Sequence, residues 1–215
     1  MRIALIGATG FVGAQVLNEL TSRGHQVTAI ARHADKVALS ELVKAVEVDV
    51  TDIAALKTAI QGHDAVISAF NAGWSNPNLY EDFKKGSLSI EEAVIQSGVK
   101  RLLVIGGAGS LRINGNRLVD APDFPAEYKP GALAAAEYYE HIQTVDQLDW
   151  TFLSPAIEMF PGTSGTRLGS YRLGTDSPVF DSNNRSIIAV EDLAVVVVDE
   201  IEQNKHIKSR FTAAY

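Results

Sequence analysis

Gly7-Ala8-Thr9-Gly10-Phe11-Val12-Gly13 is the stretch that decides how this chain folds. An apolar run, Ile3 to Ile6, precedes it, and a helical pattern, Val12 to Leu20, follows. A buried strand, a tight glycine turn and a helix N-terminus together make a pyrophosphate site. The free N–H groups of the first helical turn point at the phosphates, and the helix dipole favours negative charge there. Gly7 suits the tight turn, Gly10 lets the backbone approach the phosphates, and Gly13 lets the helix pack closely on the strand. The spacing is GxxGxxG rather than GxGxxG, and a glycine triplet alone serves many sharp turns. The strand before it and the helix after it make it a dinucleotide-binding signal, with Gly7, Thr9, Gly10, Phe11, Val12 and Gly13 as the expected contacts.

Outward from this turn, strand-like and helix-like segments alternate. Strands are expected at Ile3–Ile6, Gln26–Ile30, Ala45–Val48, Ala65–Ser68, Arg101–Ile105 and Trp150–Leu153, with a terminal strand over Arg210–Ala213. Helices are expected over Val12–Arg23, Asp52–Ile60, Asn78–Ser97, most of Pro125–Leu148, and Glu191–Gln203. Short apolar runs bounded by Gly and Asp fit strands buried on both faces. Their alternation with helices predicts right-handed crossovers and an α/β fold: a doubly wound parallel sheet of the Rossmann type in three α/β/α layers. Residues 1–215 read as a single domain. Within it, residues 155–185 break the alternation, being rich in Gly, Ser, Thr and Pro. An irregular stretch beyond the carboxyl ends of parallel strands is expected to flank a substrate, or else to be a plain surface excursion.

Composition narrows the function classes. The formal net charge of -7 argues against a broad electrostatic grip on nucleic acid. The absence of cysteine excludes disulfides, thiol nucleophiles and thiolate metal sites. His25, His33, His63, His141 and His206 show no metal-ligand spacing, so no metal is expected. There is no GxSxG elbow and no GxxxxGK[ST] loop. The apolar start after Met1-Arg2 is interrupted by glycines and used by the first strand, and Leu193 to Val198 is too short to cross a membrane. A cytoplasmic protein without a membrane partner is expected. Glu91 and Glu92 read as a solvated helix face.

The cofactor's identity is written after the second strand. An NAD binder usually offers a carboxylate there to the ribose hydroxyls. Here the chain reads Ala29-Ile30-Ala31-Arg32-His33, with no carboxylate before Asp35. Arg32 puts a fixed planar cation where an adenosine 2′-phosphate would lie, so NADPH is expected, with NADH as the alternative. Asp49 ends the third strand and can accept from the adenine amino group while Val50 packs on the ring. A local cap before Thr51 and Asp52 is the competing role. Ala69, Phe70 and Asn71 follow the fourth strand, where the backbone is expected to pass the cofactor.

These features, with Ile105-Gly106-Gly107-Ala108-Gly109-Ser110-Leu111 and Asp149-Trp150-Thr151-Phe152-Leu153-Ser154-Pro155-Ala156, resemble the atypical short-chain dehydrogenase/reductase proteins. The branch most alike is the bacterial NAD(P)H-flavin reductase group, similar to biliverdin reductase B and the NmrA-like proteins. Tyr171-Arg172-Leu173-Gly174 and Glu191-Asp192-Leu193-Ala194 extend the likeness over essentially the whole chain. It implies a Rossmann fold and NAD(P)H binding. It implies the substrate only loosely.

One departure from the wider superfamily shapes the chemistry. Typical members protonate a carbonyl with a Tyr-x-x-x-Lys pair on the helix after the fifth strand. There Tyr138 is followed four residues on by Ile142, and Tyr139 by Gln143. Tyr80 and Lys84 have the spacing, but on the preceding helix, and read as a coincidence. Flavin reduction needs no such acid: NADPH delivers a hydride to flavin N5 and water supplies the other proton. The expected function is an NADPH-dependent reductase of FMN, riboflavin or another flat acceptor such as a quinone or tetrapyrrole, with flavin as substrate rather than a tightly held cofactor. Ser110 is the catalytic candidate, orienting the acceptor or the carboxamide, with a turn cap as its competing role. Gly106, Gly107 and Pro155 are expected to line the nicotinamide. Phe160, Trp74 and Tyr171 are candidates to stack on the acceptor or simply to pack. The alternative is a non-catalytic NADP(H) sensor of the NmrA-like type, reporting to a protein partner. A sugar-nucleotide epimerase, which needs the Tyr-x-x-x-Lys pair, ranks behind both.

Overall fold

In the first strand, β1 (Arg2–Ile6), side chains alternate between two interiors. Ile3 and Leu5 enter one apolar cluster and Ala4 and Ile6 another, and all four are buried. A strand with both faces covered has to be apolar at every position, and this one is from Ile3 onward. The computed structural model describes all 215 residues. It places β1 in the interior of an eight-stranded sheet, third from one edge. On the Ile3 side lie helices α1 (Phe11–Ser22) and α5 (Val190–Gln203). On the Ala4 side lie α2 (Ile53–Ile60), α3 (Leu79–Ser97) and α4 (Lys129–Ile142). Each large aliphatic side chain buried in these layers contributes about 1.5–3 kcal/mol.

The other strands are β2 (Gln26–Ala31), β3 (Val43–Glu47), β4 (Ala65–Ser68), β5 (Arg101–Ile105), β8 (Asp149–Pro155), β9 (Arg172–Gly174) and β10 (Ser209–Ala214). A two-residue hairpin, β6 (Arg112–Ile113) with β7 (Asn116–Arg117), stands apart. The order in the sheet is β3-β2-β1-β4-β5-β8-β10-β9. All pairs are parallel except β9 with β10. The chain builds outward from β1 to β3, then returns to the other side of β1 with β4. That reversal opens a crevice at the carboxyl ends of β1 and β4, where open α/β sheets bind ligands. The glycine turn follows β1 directly and so sits in the crevice.

The expected elements form within a few residues of their bounds, apart from the fourth helix, which occupies only Lys129–Ile142 of the expected stretch. Two features differ from expectation. The first is Glu91, which is buried rather than solvated. Its carboxylate accepts from the Tyr138 hydroxyl at 3.2 Å and lies 3.1 Å from His141 Nε2. A helix-to-helix seam covers it, and sequence spacing along α3 alone does not show which neighbour will arrive.

The second is the irregular segment, which contributes β9 to the sheet edge. Three residues of mixed polarity carry no period; the strand is held by pairing with β10 and by Arg172, which donates to the carbonyls of Phe180 and Tyr215. The middle of the segment is tied down by carboxylates. Gly165 N–H donates to Glu191 at 2.9 Å, and Leu168 and Gly169 N–H donate to Asp192, each at 2.8 Å. Asp192 is fully buried and also accepts from the Tyr215 hydroxyl at 2.5 Å. Arg167 makes a two-pronged bond to Glu19 on α1, at 2.6 and 3.1 Å. The tie to the first turn of α5 puts residues 165–169 at the carboxyl end of the sheet, the same end as the glycine turn. No helix is long and apolar enough to cross a membrane.

Candidate functional site

The turn after β1 is shaped by side chains that are absent. Gly7 has φ +80°, and a Cβ there would lie 2.5 Å from the Ala69 carbonyl oxygen. The left-handed backbone and the close approach of the β4 loop both require glycine. A Cβ at Gly13 would overlap the Gly7 carbonyl, so the first turn of α1 seats directly on the turn that precedes it. The close packing expected of Gly13 is thus against the turn itself. A Cβ at Gly10 would meet only the Gly7 carbonyl, at 3.3 Å, and otherwise open space. Gly7 N–H donates to Ile30 O at 2.9 Å, which fixes the turn to the end of β2.

Gly10 caps α1 without a side-chain bond, and the first turn carries no acidic residue. The N–H groups of Phe11, Val12 and Gly13 find no acceptor in the protein, and the first intrahelical bond is Ala14 N–H to Gly10 O at 2.9 Å. Thr9, Gly10 and Phe11 are exposed around these donors. Three unpaired N–H groups at the positive end of a helix dipole, beside a glycine where backbone is bare, fit a pyrophosphate.

Arg32, just past β2, is exposed and makes no ion pair within the chain. Asp49 is exposed nearby. Its Oδ1 accepts from Thr51 N–H at 2.9 Å and from the Thr51 hydroxyl at 2.7 Å, while Oδ2 stays free. Those two bonds, with lesser help from Arg32, hold the carboxyl below its ordinary range. Asp49 thus folds the local turn at Thr51, and its second oxygen makes no bond within the chain. Val50 is buried in the cluster under α2. Asp52 rather than Asp49 caps α2, accepting from Ala55 N–H at 2.9 Å.

Beyond β4, Ala69 presents its backbone to Gly7. The Phe70 ring stacks on Phe83 at 5.9 Å and lies against Gly86. Asn71 folds its own loop, accepting from Gly73 N–H at 2.7 Å.

After β5, Gly106 lies under the Phe152 ring and Gly109 against Ala132 and Val119, so these glycines serve close packing. Gly107 has only Ala135 near, at 3.5 Å. Ser110 is 2% exposed, and its hydroxyl lies 3.0 Å from Gly107 O and 2.8 Å from Ser154 Oγ. It takes the turn-cap role on Gly107 O and braces the β5 loop against β8 through Ser154. Arg210 supports the same loop from β10, donating to Ser110 O at 2.6 Å while ion-paired with Asp176. Pro155 ends β8 buried, in register with Ala213.

The tyrosines of α4 are not presented as acids. Tyr138 is buried and bonded to Glu91, and burial first, then that carboxylate, pushes its phenol well up. Tyr139 packs on Phe152 and under the Arg210 guanidinium, 4.5 Å from the ring centre. The Tyr80–Lys84 spacing proves to be a physical pair. Lys84 donates to the Tyr80 hydroxyl at 3.1 Å, and both donate to Glu137 on α4, at 2.9 and 2.6 Å. The pair thus fastens α3 to α4. Glu137, the group that joins them, carries no spacing signal in the sequence.

Of the other stacking candidates, Tyr171 donates to Asp199 at 2.5 Å and packs on the core, whereas Phe160 and Trp74 stay exposed. Two clefts of about 520 and 550 Å³ lie elsewhere, one beside Tyr139, Asp176 and Arg210, the other beside Thr28, Lys44 and His63. Neither is lined by the glycine turn.

Comparison with known proteins gives a consistent frame. The family described as NAD(P)H-binding matches residues 7–204. The uncharacterized protein YwnB of Bacillus subtilis is 40% identical over 215 residues, which covers 99% of this chain and 97% of YwnB. A candidate epimerase from Bacteroides thetaiotaomicron superposes with a TM-score of 0.91 at 42% identity, over 100% of this chain and 96% of that one. A candidate NADH-flavin reductase from Streptococcus pneumoniae does so with a TM-score of 0.86 at 36% identity, over 100% of this chain and 99% of that one.

Proposed function

Because the chain belongs to the NAD(P)H-binding family, we propose that it is an oxidoreductase passing a hydride from NADPH to a flavin or a similarly flat acceptor. The observation that carries this reading is the state of α4. With Tyr138 buried on Glu91 and Tyr139 sandwiched by Phe152 and Arg210, neither hydroxyl is placed to protonate a substrate carbonyl. Chemistry that requires an acid from that helix, including epimerisation through a ketone, is disfavoured. Hydride acceptance by a flavin remains, because its proton can come from water. The S. pneumoniae relative lends the same acceptor class, and the B. thetaiotaomicron relative the competing one.

In this reading the Phe11, Val12 and Gly13 N–H groups hold the pyrophosphate, with Thr9 and Gly10 alongside. Arg32 meets the 2′-phosphate, the free oxygen of Asp49 accepts from the adenine amino group, and Val50 backs the ring. Ala69 and Asn71 pass the cofactor with their backbone, and Gly106, Gly107 and Pro155 border the nicotinamide. When bound, the reduced nicotinamide supplies the hydride. The chain's task is to fix its orientation and to keep the transfer away from water.

The test is NADPH oxidation followed by absorbance, with FMN, riboflavin or a quinone, each against a reaction without protein. Saturable turnover is expected, with NADPH preferred to NADH. Arg32→Ala is expected to raise KM for NADPH at least about tenfold and to leave NADH nearly unaffected, since one charge-assisted phosphate contact is lost. Tight NADPH binding without turnover of any acceptor would replace the reductase by a sensor. An Arg32→Ala variant that still prefers NADPH would refute the cofactor assignment, in line with the NADH of the S. pneumoniae relative.

A further inference from the structure

Trp74 and Tyr128 form an edge-to-face pair, ring centroids 5.7 Å apart and planes at 88°. They are 60% and 49% exposed, an unusual condition for two large rings in contact. Trp74 sits in the loop after β4 and Tyr128 immediately before α4. A Cβ at Gly131, in the first turn of α4, would lie 3.0 Å from the indole, so the helix is bare where the ring rests. The next residue, Ala132, lies against Gly109 of the β5 loop. The β4 loop itself leaves the sheet at Ala69, against Gly7. The two rings therefore border both loops that frame the cofactor crevice.

The surroundings set the size of what the rings would hold. Asn71, Ser75, Asn78, Glu127 and Lys129 are all exposed around them. Two rings inside a polar rim make an apolar island of ring dimensions. That is far short of the roughly 800 Å² per partner that a stable protein interface buries. A flat aromatic ligand matches an open ring face, through offset or edge stacking.

We propose that Trp74 and Tyr128 form the stacking platform for the planar acceptor, with Trp74 the chief determinant of its affinity. This rests on the reductase reading above, which supplies the acceptor class. Nothing is transferred to or from these rings, so their contribution belongs in KM and Kd for the acceptor rather than in the hydride step.

The experiment uses riboflavin as the probe, in the presence of NADP⁺ so that no turnover occurs. Its emission is read against increasing protein, with wild type, Trp74→Phe, Trp74→Ala and Tyr128→Leu, and circular dichroism confirms that each variant is folded. Saturable quenching by wild type is expected. Trp74→Ala should weaken binding about tenfold, while Trp74→Phe, which keeps a ring, should stay within about threefold. In turnover, KM for riboflavin should follow the same order. Affinities for Trp74→Ala and Tyr128→Leu within about twofold of wild type would overturn the platform. So would a Trp74→Ala variant that changed the oligomeric state in sedimentation while keeping its riboflavin affinity, since the rings would then meet another copy of the chain. Turnover of riboflavin without any effect of these substitutions removes the platform and leaves the reductase. Quenching that depends on Trp74, with no turnover, removes the reductase and leaves the platform.

Discussion

At the β1–α1 turn, geometry is fixed by backbone and by missing side chains; along residues 155–185 it is fixed by side chains that reach far across the sequence. In the first region, Gly7 touches Ala69, Gly13 seats on Gly7, and three N–H groups are left without acceptors. In the second, Asp192 gathers the N–H groups of Leu168 and Gly169 and the hydroxyl of Tyr215, and Arg167 spans to Glu19. A phosphate needs a cradle identical from molecule to molecule, which bare backbone supplies. Side-chain ties hold a loop in place while leaving the sheet undisturbed.

The largest effect expected is at the cradle. Gly13→Val would drive a branched side chain into the Gly7 carbonyl. Overpacking of this kind costs about 1–3 kcal/mol, and displacement of the first helical turn removes the aligned donors. NADPH affinity by calorimetry should fall at least about a hundredfold, more than urea unfolding shows stability to fall. Near-normal NADPH binding by Gly13→Val would break the comparison, because the cradle would then tolerate side chains.

A smaller effect, of a different kind, is expected at the ties. Asp192→Ala strips two N–H groups and a hydroxyl of a buried carboxylate acceptor, at a cost of about 2–4 kcal/mol. Urea unfolding should show that loss, and limited proteolysis should begin within residues 160–170. NADPH affinity should stay within about threefold, because no part of the cradle is touched. Equal losses in NADPH binding and stability would show that the two regions form one unit.

The same contrast governs how much was legible in the sequence. The cradle is local: strand, glycines and helix lie within residues 3–20, and periodicity together with glycine spacing is enough to place it. The sheet was legible for the same reason, since strands covered on both faces are apolar throughout. The sequence locates the loop after β4 but not the Gly86 hollow on α3 that takes the Phe70 ring. The Ser110 turn cap on Gly107 O is local and legible, whereas its second partner, Ser154, is 44 residues away and carries no signal. β9 is not legible, because three residues held by pairing with β10 have no pattern of their own. Glu91 reads as solvated from sequence because the residues that cover it, Tyr138 and His141, belong to another helix.

The smallest effect expected is a change in alkaline stability, and it sharpens the contrast by probing a tie through its proton. Tyr215 donates to Asp192 and accepts from Ala189 N–H at 3.1 Å. Burial first, and then the Asp192 bond, push its phenol up to about 12. The folded protein thus holds this proton more tightly than the unfolded chain, where a tyrosine titrates near about 10. The stabilisation is fully present below pH about 10 and is lost as pH rises through about 12. Tyr215→Phe should lower stability near neutral pH by about 1 kcal/mol, the ordinary value of one hydrogen bond. The gap between wild type and variant should close on approaching pH 12. Tyr138 and Tyr171 are raised in the same direction, so the alkaline slope of the variant should shrink rather than vanish. Urea midpoints measured from neutral to strongly alkaline pH read this directly. A gap that stayed constant through that range would mean that the Tyr215 proton does not hold the end of β10 to α5, and that packing alone does.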